Sequence, residues 1–211
     1  MYKYIPVNYD ESLVSLACSV LKHFGAPYTH CTLEEFDKLL AKGYKNVVVM
    51  LFDGMGTAIL EKHKRVAPFL IEHNIRRISS VFPPTTTAAT TSIETGLTPC
   101  EHGWLGWALY FKEVDKNVCL FTNTEFGKDE IAADYPVAKT AIPFDNLETK
   151  IRKTGKQAYF VSKHADIKTI RCKRLAISCA NFAKKRAKSI FIATGINPTT
   201  ICTISALRTQ T

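Results

Sequence analysis

The chain has no acidic residue and no histidine after Asp166. Residues 168–211 carry nine Lys and Arg and no Asp or Glu, whereas residues 1–167 hold 19 residues of each sign. The formal charge of +9 is therefore a property of the tail, and it excludes a generally basic, nucleic-acid-coating body. No apolar run approaches the ~20 residues needed to cross a bilayer as a helix. The opening MYKYIPVNYDESLV has no basic segment followed by an apolar core, so no secretory signal is expected. The seven cysteines (18, 31, 100, 119, 172, 179 and 202) contain no Cys-x-x-Cys pair, which excludes a zinc-finger framework. Their odd, dispersed set reads as reduced thiols and predicts a cytoplasmic protein. No internal repeat or low-complexity linker is present.

What is there suits one sizeable core. The 211 residues are 46% hydrophobic and 22% charged, the composition of a globular domain. Ser12–Phe24 places Leu13, Leu16, Val20 and Leu21 at helical spacing, with Gly25 as a stop. Thr32-Leu-Glu-Glu35 predicts a capping box opening a helix that stops at Gly43. Asn46–Phe52 is a valine-rich apolar run of strand length, followed by a helix over Thr57–His63, a short helix over Ala67–His73 and a strand over Arg77–Phe82. The alternation predicts an α/β fold with a largely parallel sheet flanked by helices. Trp107–Val114 and Asn117–Thr122 predict a β-hairpin about Asp115-Lys116, whose aromatics (Trp104, Trp107, Tyr110, Phe111) pack against the core or contact an organic substrate group, packing being favoured. Pro143–Asn146 leads into a helix over Leu147–Lys153, stopped by Gly155, and Gln157–Ser162 reads as another core strand.

The densest chemistry lies in Ser80–His102. Seven threonines and two serines crowd into Ser80–Thr98 behind a Phe-Pro-Pro turn. Pro83 and Pro84 keep the chain extended there, a helix begins near Thr85–Thr87, and Gly96 ends it after Thr95. A hydroxyl at a helix start sits among unpaired N–H groups at the positive end of the dipole, which suits a phosphate ester. Thr86 is the candidate nucleophile; capping and packing are the alternative use of these threonines. Asp53 follows the Asn46–Phe52 strand, at the sheet edge where open α/β folds bind ligands, and glycines on either side of Met55 leave room for close approach. That position suits a metal ligand.

LFDGMG followed by SSVFPPTTTAATTSIETGLTPCEHGWLGW resembles the type I phosphodiesterase/nucleotide pyrophosphatase branch of the alkaline phosphatase superfamily, over roughly Lys45 to Asp166. The resemblance implies an alkaline-phosphatase-like fold and a phosphoester hydrolase with two divalent metal ions, usually zinc, and a small-molecule phosphoester substrate. Carried over by motif, it makes Asp53 a metal ligand and Thr86 the nucleophile that also touches a metal. The family's asparagine three residues after the nucleophile is replaced by Ala89, which leaves substrate preference open. His102 falls in the Pro-Cys-Glu-His-Gly turn, where it is expected to shape the turn; His164 is a ligand by position or a surface histidine.

Two ions need about six Asp or His ligands, and the family's Asp-x-x-x-His pair, Asp-His pair and late His have no counterpart here. Residues 1–167 are thus expected to be the N-terminal part of a hydrolase domain, incomplete at its C-terminus. Residues 168–211 show neither clean helical nor clean strand periodicity and are expected to be frameshifted, non-native sequence. Reading the third base of each codon with the first two of the next permits Y-W-D-x-P-D-x-x-M-H-x-x-G within residues 180–211, the free bases being chosen to suit the motif. It resembles the family's Asp-x-x-x-His motif. A single insertion or deletion near residues 163–172 accounts for the change, with Gln157–Ser162 then left without sheet neighbours and the product truncated, with little or no hydrolase activity. A non-catalytic remnant is the alternative. So is a nucleic-acid-binding basic tail, which has the charge but lacks interleaved aromatics.

Overall fold

The computed structural model describes residues 6–44, 46–162 and 189–195. His164 and the 163–172 window lie outside the described residues.

Helix α1 (Leu13–His23) is the hub. Ser12 starts it by accepting a hydrogen bond from Val14 N (3.1 Å), while Ser15 Oγ accepts from Ser12 N (3.0 Å). Leu13, Leu16, Ala17, Val20 and Leu21 of this helix join Phe36, Val47, Val49, Leu51, Ile93, Leu147 and Ile151 in the main apolar core. Nearly every side of α1 is covered, because α2 (Glu34–Leu40), α5 (Thr86–Thr95) and α8 (Leu147–Arg152) all pack on it. Helix α2 starts from Leu33 with no side-chain cap. The expected capping box is not formed, because Thr32 Oγ1 donates instead to Asp37 Oδ2 at 2.8 Å, where Lys22 also binds.

Strand β1 (Asn46–Phe52) has its expected bounds and is followed by α3 (Thr57–Lys62) and α4 (Pro68–Glu72). The strand expected over Arg77–Phe82 is absent. Only Ser79 makes a parallel bridge, with Ser12, and its backbone bonds go to the chain that enters α1. The backbone of this stretch serves a helix start, which alternation of side chains does not reveal. After α5, α6 (Pro99–His102) turns the chain into a hairpin of β2 (Ala108–Phe111) and β3 (Lys116–Cys119). The turn is longer than expected, with Asp115 in the left-handed region at φ 50°. Of the four aromatics flagged there, Trp104 and Phe111 are buried with α7 (Val137–Ala141), while Trp107 and Tyr110 are exposed.

Strand β4 (Gln157–Ser162) also has its expected bounds, but it is not left without a neighbour. A strand β5 (Ser189–Gly195) lies between β1 and β4, parallel to both, in the order β1-β5-β4. The tail therefore contributes the middle strand of a mixed α/β fold. Its continuous apolar run is what a central parallel strand requires, and such runs lack period-2 alternation.

Helix α5 stops at Gly96, whose φ of +71° is left-handed. A Cβ there meets Leu21 Cδ1 at 3.0 Å. Gly96→Ala is expected to lower stability by about 1–2 kcal/mol from the backbone alone, read as a lower urea midpoint.

Candidate active site

Strand β1 delivers Asp53 to the carboxyl edge of the sheet, and Gly54 turns away with φ +76°. The second half of the site arrives from the Phe-Pro-Pro turn. Thr85 is extended and caps α5, its hydroxyl accepting from Ala88 N at 3.2 Å. The same hydroxyl donates to Leu105 O at 3.1 Å, tying the turn after α6 to the start of α5. Thr86 then opens the helix, and its Oγ1 donates to Asp53 Oδ2 at 3.1 Å. The two residues singled out in the sequence thus meet directly.

Most of the other hydroxyls serve the fold. Thr90 Oγ1 donates back to Thr86 O at 2.8 Å, and Thr95 Oγ1 to Thr91 O at 2.7 Å. Lys150 Nζ donates to Thr95 O at 2.8 Å, bracing the negative end of α5. Capping and packing account for these threonines, and Thr86 is set apart by its carboxylate partner.

His102 shapes its turn, as expected. Its Nδ1 accepts from Trp104 N at 3.0 Å, which leaves the proton on Nε2 to be donated to Ser92 Oγ at 3.0 Å. Burial pushes its pKa down to about 4. Glu94, on the same helix, is pushed the other way, to about 7, by burial that Lys139 only partly offsets. The signs oppose. The contribution of neutral His102 is present above about pH 6.5 and is lost as pH falls toward 4. The contribution of protonated Glu94 is present below about pH 4.5 and is lost as pH rises through 7. Glu94→Gln is therefore expected to flatten the loss of stability with rising pH between about 6.5 and 7.5, read as urea midpoints across that range. An unaltered neutral limb would show that Glu94 titrates normally.

Among the described residues, no group of three or more His, Cys, Asp or Glu is placed to hold a metal ion. Asp53 and Thr86 offer two oxygen donors, which is too few for a pair of divalent ions in water. The described residues do not fit a two-metal centre. The role of Leu105 was not legible in sequence, since it acts through its carbonyl, and a backbone acceptor has no residue signature. Glu94 was also missed, as a glutamate within a threonine-rich helix reads as a solvent-facing residue.

Residues 47–171 match the family described as type I phosphodiesterase / nucleotide pyrophosphatase. No curated protein and no solved structure matches the chain. The matched span ends inside the 163–172 window and contains both ends of the Asp53–Thr86 hydrogen bond, the α5 helix and the turn that Thr85 holds. Covering more than half of the chain, that match shows that the protein belongs to the type I phosphodiesterase/nucleotide pyrophosphatase family.

Proposed function

We propose that the chain derives from a metal-dependent phosphodiesterase in which the Thr86 hydroxyl attacks phosphorus and Asp53 is the first metal ligand. The observation that carries this reading is the 3.1 Å hydrogen bond between Thr86 Oγ1 and Asp53 Oδ2, at a helix start facing a sheet edge. In the reaction, the Thr86 Oγ1–P bond forms as the bond from phosphorus to the leaving alcohol breaks, the hydroxyl proton ending on the leaving oxygen. Water then cleaves the Oγ1–P bond to release the phosphomonoester and restore the hydroxyl. The carboxylate orients the hydroxyl for attack, and the free N–H groups of the first turn of α5 face negative charge building on the phosphoryl oxygens. The family works with divalent metal ions, and the described residues do not fit a pair of them.

The missing donors belong, in this reading, to the shifted frame. Gly195 pairs with Phe52, so the chain leaving β5 starts at the same sheet edge as Asp53. Restoring the frame within codons 163–172 also rewrites Ser189–Gly195, and past codon 195 it permits D-x-P-D-x-x-M-H, with the free bases chosen to suit the motif, which would supply carboxylates and a histidine. The chain as it stands is expected to bind zinc weakly and to hydrolyse bis(4-nitrophenyl) phosphate little above background. A version with the frame restored within codons 163–172 is expected to bind zinc tightly and to turn the diester over well above background. Sequencing codons 160–211 and beyond decides the frame: an early stop, or no Asp-His pair and later histidine, sinks the idea. Zinc-dependent turnover by both versions decides the function; equal inactivity with a verified frame counts against the hydrolase reading.

A further inference from the structure

Helices α3 and α4 bury little for their composition. No residue of α4, Pro68-Phe-Leu-Ile-Glu72, is buried, although four of the five are apolar, and α3 buries only Leu60. The two helices touch each other, and residues 63–66 turn the chain between them. Val66, in that turn, is 81% exposed. Ile59, whose carbonyl accepts from His63 N at the end of α3, and Phe69, at the start of α4, are each 47% exposed. Phe69 is held in place by His73, which stacks on it at 4.2 Å and donates from Nδ1 to its carbonyl at 2.9 Å. The charge at this tip has one sign. Lys62, Lys64 and Arg65 are exposed, and residues 62–71 contain no carboxylate, Glu61 and Glu72 flanking the stretch. Several other exposed cations are paired, Lys38 with Glu34, Lys128 with Glu125 and Lys153 with Asp145. Lys62, Lys64 and Arg65 form no ion pair among the described residues.

We propose that the tip of the α3–α4 hairpin docks on an anionic lipid surface. Val66 and Phe69 enter the headgroup boundary, while Lys62, Lys64 and Arg65 meet the charge of the lipids. The two halves of the tip select the partner together. Duplex nucleic acid would match the three cations but offers no apolar boundary to Val66. A neutral apolar partner would cover Val66 and Phe69 but leaves three cations unmatched. An anionic bilayer presents charge and apolar depth in one plane, which suits a short basic and apolar tip. The contact is peripheral and reversible, since two side chains enter rather than a spanning helix.

The test is co-sedimentation of the full chain with sucrose-loaded vesicles of phosphatidylcholine, alone or mixed equally with phosphatidylserine. The mixed vesicles are expected to bind at least about tenfold more tightly than the neutral ones. The basic tail adds attraction of its own, so the tip is read from variants made in the same full chain. The double change Lys64→Gln, Arg65→Gln should weaken binding to mixed vesicles on the order of 25-fold, about fivefold for each cation removed. Val66→Ser should weaken it severalfold and leave its salt dependence unchanged, because it removes apolar contact and no charge. Both variants alter exposed side chains and should keep the thermal melt of the parent. Equal binding to the two kinds of vesicle, or no measurable binding to the mixed ones, overturns the inference. Binding that survives the double change belongs to the tail and overturns it as well. If duplex DNA binds as tightly as the mixed vesicles and Val66→Ser weakens neither, the tip is a general polyanion site and the inference fails.

Discussion

Replacing Thr86 with alanine is expected to reduce zinc-dependent hydrolysis of bis(4-nitrophenyl) phosphate by the frame-restored chain on the order of a thousandfold or more, the scale seen when a covalent nucleophile is removed. Thr86→Ser keeps an attacking hydroxyl in the same place and should stay within about tenfold of the parent. The comparison is informative because the fold cost is small. Thr86 is only partly buried, and losing its bond to Asp53 forfeits about 1 kcal/mol. Thr85→Ala should behave differently, since it removes a helix cap and the tie to Leu105 together. If the alanine variant at 86 turns over substrate as the parent does, Thr86 is not the nucleophile and its bond to Asp53 is structural.

The second large effect is on stability. Leu21→Ala is expected to destabilise the chain by about 3–5 kcal/mol, a sizeable part of the ~5–15 kcal/mol that holds a domain folded. Leu21 is fully buried in α1, packs in the main core, and lies close to Gly96 at the end of α5. Its removal opens space between two helices that cannot easily approach, because α2 and α8 also brace α1. Val66→Ala, at a residue 81% exposed, should change stability by less than about 0.5 kcal/mol. A urea midpoint shift for Leu21→Ala no larger than that for Val66→Ala would mean that the α1 core is not what holds the fold.

The parts of the fold legible in sequence are those governed by local rules. Helix α5 follows from a hydroxyl cap at Thr85 and a glycine at 96 that takes the left-handed conformation, so both ends were set by chemistry within the segment. Strands β1 and β4 were readable because each is a compact apolar run ended by polar or turn residues. The meeting of Asp53 and Thr86 was reachable by motif. What failed turned on which of several partners a polar group takes. Ser79 looked like part of a strand but spends its backbone bonds on the entry to α1, and Thr32 looked like a cap but binds Asp37. Strand β5 was not legible, because it is a short apolar run without period-2 alternation in a basic, acid-free setting. The split among the aromatics was likewise invisible, because Trp104 and Trp107 have the same residue type and opposite exposure.

The strand order carries a consequence for how the chain is made. Strands β1 and β4 pair with β5 on either side, yet β5 is the last of the three in sequence. At ~5–20 residues per second, β4 is finished some seconds before its partner exists, and β1 waits longer still. Through that interval the helical layer around α1 can form from nearby segments, while two parallel strands keep unsatisfied edges. The nascent protein should therefore depend on chaperone cover late in translation. Slowing the ribosome between codons 162 and 189 should increase aggregation more than slowing it between codons 12 and 40.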